Sequence, residues 1–555
     1  MKCINNHQNQ NKMKIKFNFL VLLITLSLCD CKDKTTVVHP SRQQRLIYVS
    51  DMDHPAANLK FGERLLTLPD VHASVDDYAD TQVTTFMVHA GEDVPVYRSK
   101  YNRLVGDDDG GRLNCGTDTA LYSFYRRYYR NILNLEKDGI DIVEAQLKRA
   151  KEKGMETFLT FRMNDMHYTN IEYGYTLLYG DFWLQHPEYW LNENVGWNTA
   201  GAYDFAHPEV RQYRLNLLFE QLELYGALID GYDLDFQRFP AFFKTGEGTK
   251  NALLMTEMVK TLKSRIDEMS VKYGKKIMLS VRVPISMDFC ESEGLDVKEW
   301  INLGLIDFLT VGHFLNEDPS MPVAKFIQDL GSHPIPVYVS VDCGGYRPHR
   351  LHSYGMKRGI ASHIFAQGGD GIYLFNYFLD APVLPAEESC THYVCRGKSR
   401  ELLMELGAME TLRKRNKIFA LDDGSAAKYY RYRSKSTLPL TVSADMQTVN
   451  LHVGDPLQDD TPEQIILFIR TDLEVGIGVQ VNGTDVELLD TAYTTLYHAD
   501  IDLKQGAKVH AFSVPVSAVK QGDNQIGICS RGDEFKVVRL EMAVRYGDVE
   551  THGYF

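Results

Sequence analysis

Two carboxylates stand two residues apart in residues 230–240, directly after the apolar residues 227–229. The apolar run predicts a buried strand, and in an extended strand Asp233 and Asp235 lie on one face because side chains alternate. Two like charges on one face are costly unless a site uses them, and paired carboxylates are the usual groups of glycoside chemistry. The next residue on that face is Gln237, where a third acid would be expected.

Other polar residues follow apolar runs along the chain, and we expect these strand ends to form one functional pocket. The candidates for catalysis are carboxylates, namely Asp165, Asp233, Asp235, Asp288, Glu317 and Asp342. The candidates for substrate binding are groups that bind hydroxyl or anionic groups or stack on a sugar ring, namely Arg162, Asn164, His167, Trp197, Arg238, Arg282, His313, Asn376 and Tyr377.

The individual roles differ in how strongly the residue types favour them. Asp235 is predicted to act as nucleophile or base, with Asp233 tuning its ionisation because close carboxylates resist sharing negative charge. The structural alternative for Asp235 is a buried acid paired with Arg238 or Arg282. The proton donor is expected among four acids and is left open at this stage: Asp165, Asp288, Glu317 or Asp342.

Eight short apolar runs alternate with helix-period stretches, which predicts a parallel sheet. Eight strand–helix units over residues 45–420 predict a (β/α)8 TIM barrel, whose active sites form at the carboxyl ends of the strands. The helical stretches include residues 130–153 and a last amphipathic helix at 399–418. From residue 424 to 555 short alternating runs separated by turns predict an all-β sandwich.

The amino terminus has the features of a targeting segment. Lys14 and Lys16 precede an apolar run at residues 17–28 that is too short to span a bilayer stably, so residues 1–31 are predicted to be a signal segment, followed by a tether at 32–44. Cys29 closes the apolar run and is the predicted lipidation site of an exported bacterial envelope lipoprotein, attached to the outer membrane. Simple secretion is the alternative.

Composition and charge limit the classes of partner and cofactor that this chain is expected to bind. A formal net charge of -14 without basic blocks argues against nucleic acid. No spacing of the nine Cys resembles a zinc site, and the acidic turn at 107–111 is more typical of a solvated loop than of a calcium site, so neither metal nor cofactor is predicted. Cys390 and Cys395 are close enough for a small loop disulfide. Oligomeric state is left open.

Three motifs carry a resemblance to a known family: Phe-Arg-Met-Asn-Asp at 161–165, His-Pro-Glu-Val-Arg at 207–211, and Asp-Gly-Tyr-Asp-Leu-Asp-Phe-Gln-Arg-Phe-Pro at 230–240. Over residues 45–420 the chain resembles the glycosyl-hydrolase-like family ten proteins of the TIM-barrel glycosidase superfamily. The resemblance implies an exported (β/α)8 protein that acts on polysaccharide-derived glycans.

A second similarity concerns only residues 230–237. Family-eighteen chitinases carry Asp-Gly-x-Asp-x-Asp-x-Glu at this strand, with the last Glu as general acid, whereas this chain has Gln237 there. Since an amide cannot donate a proton as a carboxylic acid does, the prediction is a glycoside hydrolase with its acid on another strand. The alternatives are a non-catalytic glycan-binding lipoprotein, favoured by Gln237, and a polysaccharide lyase that uses His or Tyr as base.

Overall fold

The computed structural model describes twelve parts of the chain: residues 44–57, 64–107, 119–167, 169, 179–193, 199–313, 318–331, 335–342, 354–379, 400–421, 436–489 and 508–547.

Eight parallel strands close into a barrel in chain order, which confirms the predicted TIM barrel. The barrel closes because the first strand pairs with both the second and the eighth, so no sheet edge remains. The strands are β1 Arg45–Ser50, β2 Val83–His89, β3 Glu156–Arg162, β4 Gly231–Asp235, β5 Met278–Pro284, β6 Phe308–Gly312, β7 Val337–Asp342 and β8 Gly371–Phe375.

The helices of the barrel region connect these strands and cover the barrel. They are α1 Asp53–Ala56, α2 Leu68–Asp76, α3 Thr119–Lys137, α4 Ile142–Glu152, α5 Asp181–Gln185, α6 Pro208–Tyr225, α7 Gly248–Tyr273, α8 Met287–Ser292, α9 Val297–Asn302, α10 Val323–Leu330, α11 Tyr354–Ala366 and α12 Met409–Leu412. Short 3-10 helices lie at Pro187–Tyr189, Thr199–Gly201 and Leu402–Met404.

Two helix predictions are wrong in detail. The stretch 130–153 is two helices rather than one, because the chain turns at Gly139, whose φ of 74° is in the left-handed region. The predicted helix at 399–418 is instead one 3-10 turn, the four-residue α12 and the start of strand β9, Lys417–Leu421. That strand pairs with a strand of the carboxyl-terminal sheets, so its tertiary partner overrides the helical pattern.

Two antiparallel sheets pack face to face in the carboxyl-terminal region, which confirms the predicted β-sandwich. Besides β9, the strands are β10 Leu440–Val442, β11 Gln447–Val453, β12 Gln464–Thr471, β13 Ile477–Val481, β14 Thr484–Asp485, β15 Glu487–Leu488, β16 Lys508–Val514, β17 Gly522–Ser530 and β18 Phe535–Arg545, with a 3-10 turn at Val516–Ala518. One sheet has the order β10-β18-β12-β16-β15 with β9 beside β18, and the other has β11-β17-β13-β14.

The barrel and the sandwich share a buried polar contact. Lys417 of β9 is fully buried, and its Nζ lies 2.9 Å from Asp455, which also accepts a hydrogen bond of 2.6 Å from Ser362 of α11. Burial lowers the pKa of Lys417, although Asp455 opposes that shift. A charged pair buried between α11 and the sheet therefore holds the two parts in one arrangement. None of the described helices is both long and apolar enough to cross a membrane.

Candidate functional site

Asp235 is the last residue of β4 and is 2% exposed. Its Oδ1 accepts hydrogen bonds of 3.0 Å from the backbone N–H groups of Gln237 and Arg238, and its Oδ2 lies 3.0 Å from Nη1 of Arg282 on β5. The ion pair with Arg282 considered from the sequence is thus present. It does not remove Asp235 from the site, because the pair itself lies at the carboxyl ends of the strands, where barrel active sites form.

Asp233 lies one layer below Asp235 inside the barrel and is fully buried. Its two oxygens accept hydrogen bonds from Thr160 of β3 at 2.9 Å and Ser280 of β5 at 2.7 Å. Burial and the nearby charge of Asp235 raise the pKa of Asp233 to about 6. The charge of Asp233 therefore interacts with that of Asp235, whereas its buried position keeps it from contacting a substrate.

Asp165 and His167 form a dyad in the loop after β3. Oδ1 of Asp165 lies 2.7 Å from Nδ1 of His167, and its Oδ2 lies 3.2 Å from Nη1 of Arg162. Burial alone would raise the pKa of Asp165, but His167 and Arg162 lower it far below the usual range of a carboxyl. Such a group carries its negative charge at neutral pH, which disfavours the predicted role of Asp165 as a proton donor.

The neighbours of His167 define its tautomer. Nε2 lies 3.0 Å from Nη2 of Arg238, and a guanidinium nitrogen only donates, so Nε2 must accept. The ring proton is then on Nδ1 and is donated to Asp165. Burial lowers the pKa of His167 despite the adjacent carboxylate, so the ring is neutral. The arrangement is that of a histidine base whose ring is oriented by a carboxylate.

A second histidine, which ends β2, lies between two carboxylates. His89 Nε2 is 2.6 Å from Glu92 Oε1, its Nδ1 is 3.6 Å from Asp51, and Asp51 in turn lies 2.5 Å from Nη2 of Arg162. Burial would lower the pKa of His89, but Glu92 and Asp51 raise it to about 9. Burial would raise the pKa of Asp51, but Arg162 and His89 hold it well below its usual range. At neutral pH His89 is therefore an imidazolium.

Phe375, the last residue of β8, lies at the centre of these contacts. The guanidinium carbons of Arg282, Arg238 and Arg162 lie 4.3, 5.2 and 5.6 Å from the centroid of its ring. Cations attract the face of an aromatic ring, so Phe375 gathers three arginines that belong to β3, β5 and the loop after β4. Together with the ion pairs, these contacts join the ends of β1 to β5 and β8 into one charged site.

Several predicted binding residues have other contacts. Asn164 donates to the backbone oxygens of Tyr203 at 3.0 Å and Ala241 at 2.6 Å, and its oxygen accepts from the N–H of Tyr203 at 3.0 Å. Its amide therefore joins loop segments instead of presenting both donors to a hydroxyl group. Nε2 of His313 lies 3.2 Å from Asp318. Burial would raise the pKa of Asp318, but the interaction with His313 outweighs this effect and helps to lower the pKa to about 2.

Other predicted residues lie at the edge of the site or outside the described chain. Tyr377 is fully buried, and its backbone oxygen accepts a hydrogen bond from Tyr78, whereas Asn376 has a positive φ of 55° at a position that is 9% exposed. Asp288 is exposed in the first turn of α8 and is not part of the charged site. Cys29, Trp197, Glu317, Cys390 and Cys395 lie outside the described residues, and of Asp342 only the backbone is described.

The candidate site residues predicted from the sequence do not include four that form the charged site: Asp51, His89, Glu92 and Phe375. Asp51, His89 and Glu92 did stand near the ends of predicted strands, but nothing in their spacing showed that they would pair with Arg162 or with one another. Gln237 is 2% exposed, and among the described residues its Oε1 has no hydrogen-bond partner. The described residues contain no group of three or more His, Cys, Asp or Glu arranged to hold a metal ion.

No protein-family model matches the chain, and no curated protein sequence is similar to it. The assignment to glycosyl-hydrolase-like family ten therefore stays a prediction.

Comparison with solved structures finds barrel enzymes at low similarity. A cycloisomaltooligosaccharide glucanotransferase from Paenibacillus sp., complexed with cycloisomaltoheptaose, has 10% identity and a TM-score of 0.32 over 90% of this chain and 57% of its own. The chitinase ChiW from Paenibacillus sp. has 10% identity and a TM-score of 0.37 over 89% and 52%. The maltogenic alpha-amylase AmyB from Thermotoga neapolitana has 10% identity and a TM-score of 0.35 over 87% and 99%.

The chain thus spans little more than half the length of the first two structures. Similarity at this level does not assign an activity to it.

Proposed function

We propose that this chain is a glycoside hydrolase in which Asp235 acts as nucleophile or base. The observation that supports this is the convergence of carboxylates from β1, β3 and β4 on the guanidinium groups around Phe375, at the carboxyl end of a closed barrel. Strongly perturbed buried charges cluster at functional sites, and glycoside hydrolysis uses a carboxylate beside a developing positive charge on the sugar.

The hydrolysis also needs a proton on the leaving oxygen. Asp51 and Asp165 suit the charged role only, because the pKa of each carboxyl is lowered. The pKa of Asp233 is raised, but its carboxyl is buried below Asp235 and is hydrogen-bonded to Thr160 and Ser280. It therefore does not reach a substrate. Of the four acids predicted from the sequence, Asp165 is charged and Asp288 is exposed outside the charged site, so we propose that the proton donor is Glu317 or Asp342.

Replacement of Asp235 by Asn tests the proposal. We expect Asp235→Asn to lose hydrolysis of a panel of aryl glycosides and polysaccharides by at least a thousandfold. Asp267→Asn on the exposed face of α7 is the matched control and should retain wild-type rates. Full activity of Asp235→Asn would contradict the assignment. Tight oligosaccharide binding in calorimetry, without product from the wild-type chain, would instead select the non-catalytic alternative.

The Asp165–His167 dyad supports a second candidate, polysaccharide lyase activity. A neutral His167 with its proton held on Nδ1 has a basic Nε2, which would abstract a proton beside a uronate once Arg238 shifts to the anionic substrate. Release of an unsaturated product that absorbs in the ultraviolet, lost in His167→Gln and kept in Asp235→Asn, would favour this reaction over hydrolysis.

We further propose that the chain is exported and anchored through a lipid on Cys29, with the barrel at 45–420 as the catalytic domain and the sandwich at 424–555 as an accessory domain. Labelled palmitate should be incorporated in the bacterial cell by the wild-type chain and not by Cys29→Ala, whereas Cys31→Ala should still be labelled. Label that is kept in Cys29→Ala and lost in Cys31→Ala would show that the lipid is attached to Cys31 instead.

A further inference from the structure

A group of partly exposed aromatic rings lies at the surface of the segment between β3 and α6. It consists of Phe182 on α5, His186, Tyr189 on a 3-10 turn, and His207 at the start of α6, and we call it the aromatic platform. The ring centroids of His186 and Tyr189 are 4.9 Å apart with the planes at 20°, and those of Tyr189 and His207 are 5.1 Å apart. All four side chains retain part of their surface in contact with solvent.

The aromatic platform rests on a buried layer that holds it rigid. Phe182 stacks on Tyr213 with centroids 4.1 Å apart and planes at 17°. The hydroxyl groups of Tyr213 and Tyr203 both donate to Oδ1 of Asp93 at 2.8 Å, and Asp93 also pairs with the buried Arg214. Rings that are already fixed lose little conformational entropy when a ligand binds, which favours a binding surface.

The chemistry around the rings favours a neutral sugar. Axial C–H groups of a pyranose carry partial positive charge and pack on the negative face of an aromatic ring. A carboxylate that can accept hydrogen bonds from hydroxyl groups stands beside the rings, since Glu188, whose side chain is 58% exposed, lies 2.9 Å from His186. Hydrogen bonding to His186 lowers the pKa of Glu188, so this flank is negative and repels uronates and sulfated sugars.

The same segment is joined to the charged site. Tyr203, in the buried layer, is bonded through its backbone to Asn164, and Tyr179 donates from its hydroxyl group to the backbone oxygen of Asp165. The rings therefore have a defined position relative to the loop that carries Asp165 and His167. A glycan held on them is bound to the same segment that contacts this loop.

We propose that the aromatic platform is a secondary binding site for neutral polysaccharide chains, built from pyranose rings that stack on Tyr189 and its neighbours. This inference rests on the proposed action on glycans but concerns binding outside the charged site. It predicts that the platform raises the local concentration of long substrates at the protein and does not change the local concentration of short ones.

Affinity electrophoresis of the full chain through gels that contain soluble starch, mixed-linkage β-glucan, xylan or polygalacturonate tests the proposal. We expect at least one neutral polysaccharide to retard the wild-type chain, and Tyr189→Ala to bind it about tenfold more weakly. Tyr189→Phe keeps the ring and should bind as the wild type does. Tyr122→Ala, at a tyrosine that is 39% exposed on α3 and is not part of the platform, should also be unchanged.

Three outcomes overturn the proposal: equal retardation of Tyr189→Ala and wild type, retardation by polygalacturonate alone, and retardation by none of the four polymers. The result is distinguishable from failure of the proposed function, because Asp235→Asn should be retarded as the wild type is. Retardation without hydrolysis by the wild-type chain would retain the platform and reject the hydrolase. Hydrolysis by the wild-type chain, together with equal retardation of Tyr189→Ala and wild type, would retain the hydrolase and reject the platform.

Discussion

The imidazolium of His89 makes the stability of the fold depend on pH. Its pKa is raised from 6.5 in the unfolded chain to about 9 in the folded one, a difference worth about 3 kcal/mol at 1.36 kcal/mol per unit. Because the folded pKa is the higher, this stabilisation is complete below about pH 6.5 and is lost as the pH rises through about 9. The proton is retained because Glu92 and Asp51 flank the buried ring.

Replacement of His89 by Gln isolates this contribution. We expect the difference in free energy of unfolding between wild type and His89→Gln to fall by about 3 kcal/mol between about pH 6 and pH 10. Urea titrations followed by tryptophan fluorescence, at each pH for both proteins, measure it. The comparison between the two proteins removes the contributions of groups that titrate equally in both.

Two further variants sharpen the test. Glu92→Gln removes the carboxylate that contributes most to the raised pKa of His89, so the loss of stability should be smaller and should be complete at a lower pH. His72→Gln, at a partly buried histidine outside the charged site, is the matched control for removal of an imidazole. If the difference between wild type and His89→Gln does not change with pH, His89 does not carry the proton and the account of the charged site is wrong.

Three other substitutions have expected outcomes. Gly231→Ala would place a Cβ 2.1 Å from the ring of Phe158 inside the barrel, so thermal unfolding should show a loss of about 1–3 kcal/mol or more; an unchanged melting temperature would contradict this packing. Asp455→Asn leaves the buried Lys417 without its carboxylate and should cost about 3–5 kcal/mol, measured by urea unfolding, whereas wild-type stability would show that the contact between barrel and sandwich does not depend on this pair. Asn164→Ala leaves buried backbone groups of the loops unsatisfied and should increase proteolysis of residues 199–205, with a loss of about 1–3 kcal/mol for each group; equal cleavage in both proteins would oppose it.

The alternation of apolar runs and helical stretches was enough to predict the barrel, because each strand carries its own hydrophobic pattern and each helix its own period. It also placed Asp235 at a strand end, since the apolar run stops there. The helix expected at 399–418 shows the limit of such local patterns. Lys417 has an ordinary helical context, yet it lies in a strand because β18 and Asp455 provide partners for its backbone and its charge.

By itself the sequence determined which side chains stand at the ends of the strands and that the chain forms a parallel barrel followed by a sandwich. Only the tertiary structure decided which charges pair, because closure of the barrel brings together groups far apart in the chain, such as Asp51 and Arg162, 111 residues away. A pKa depends on burial and on neighbours within a few ångströms, so the proton on His89 and the charge on Asp165 follow from that closure. Composition alone could not distinguish them from any other acid or histidine at a strand end.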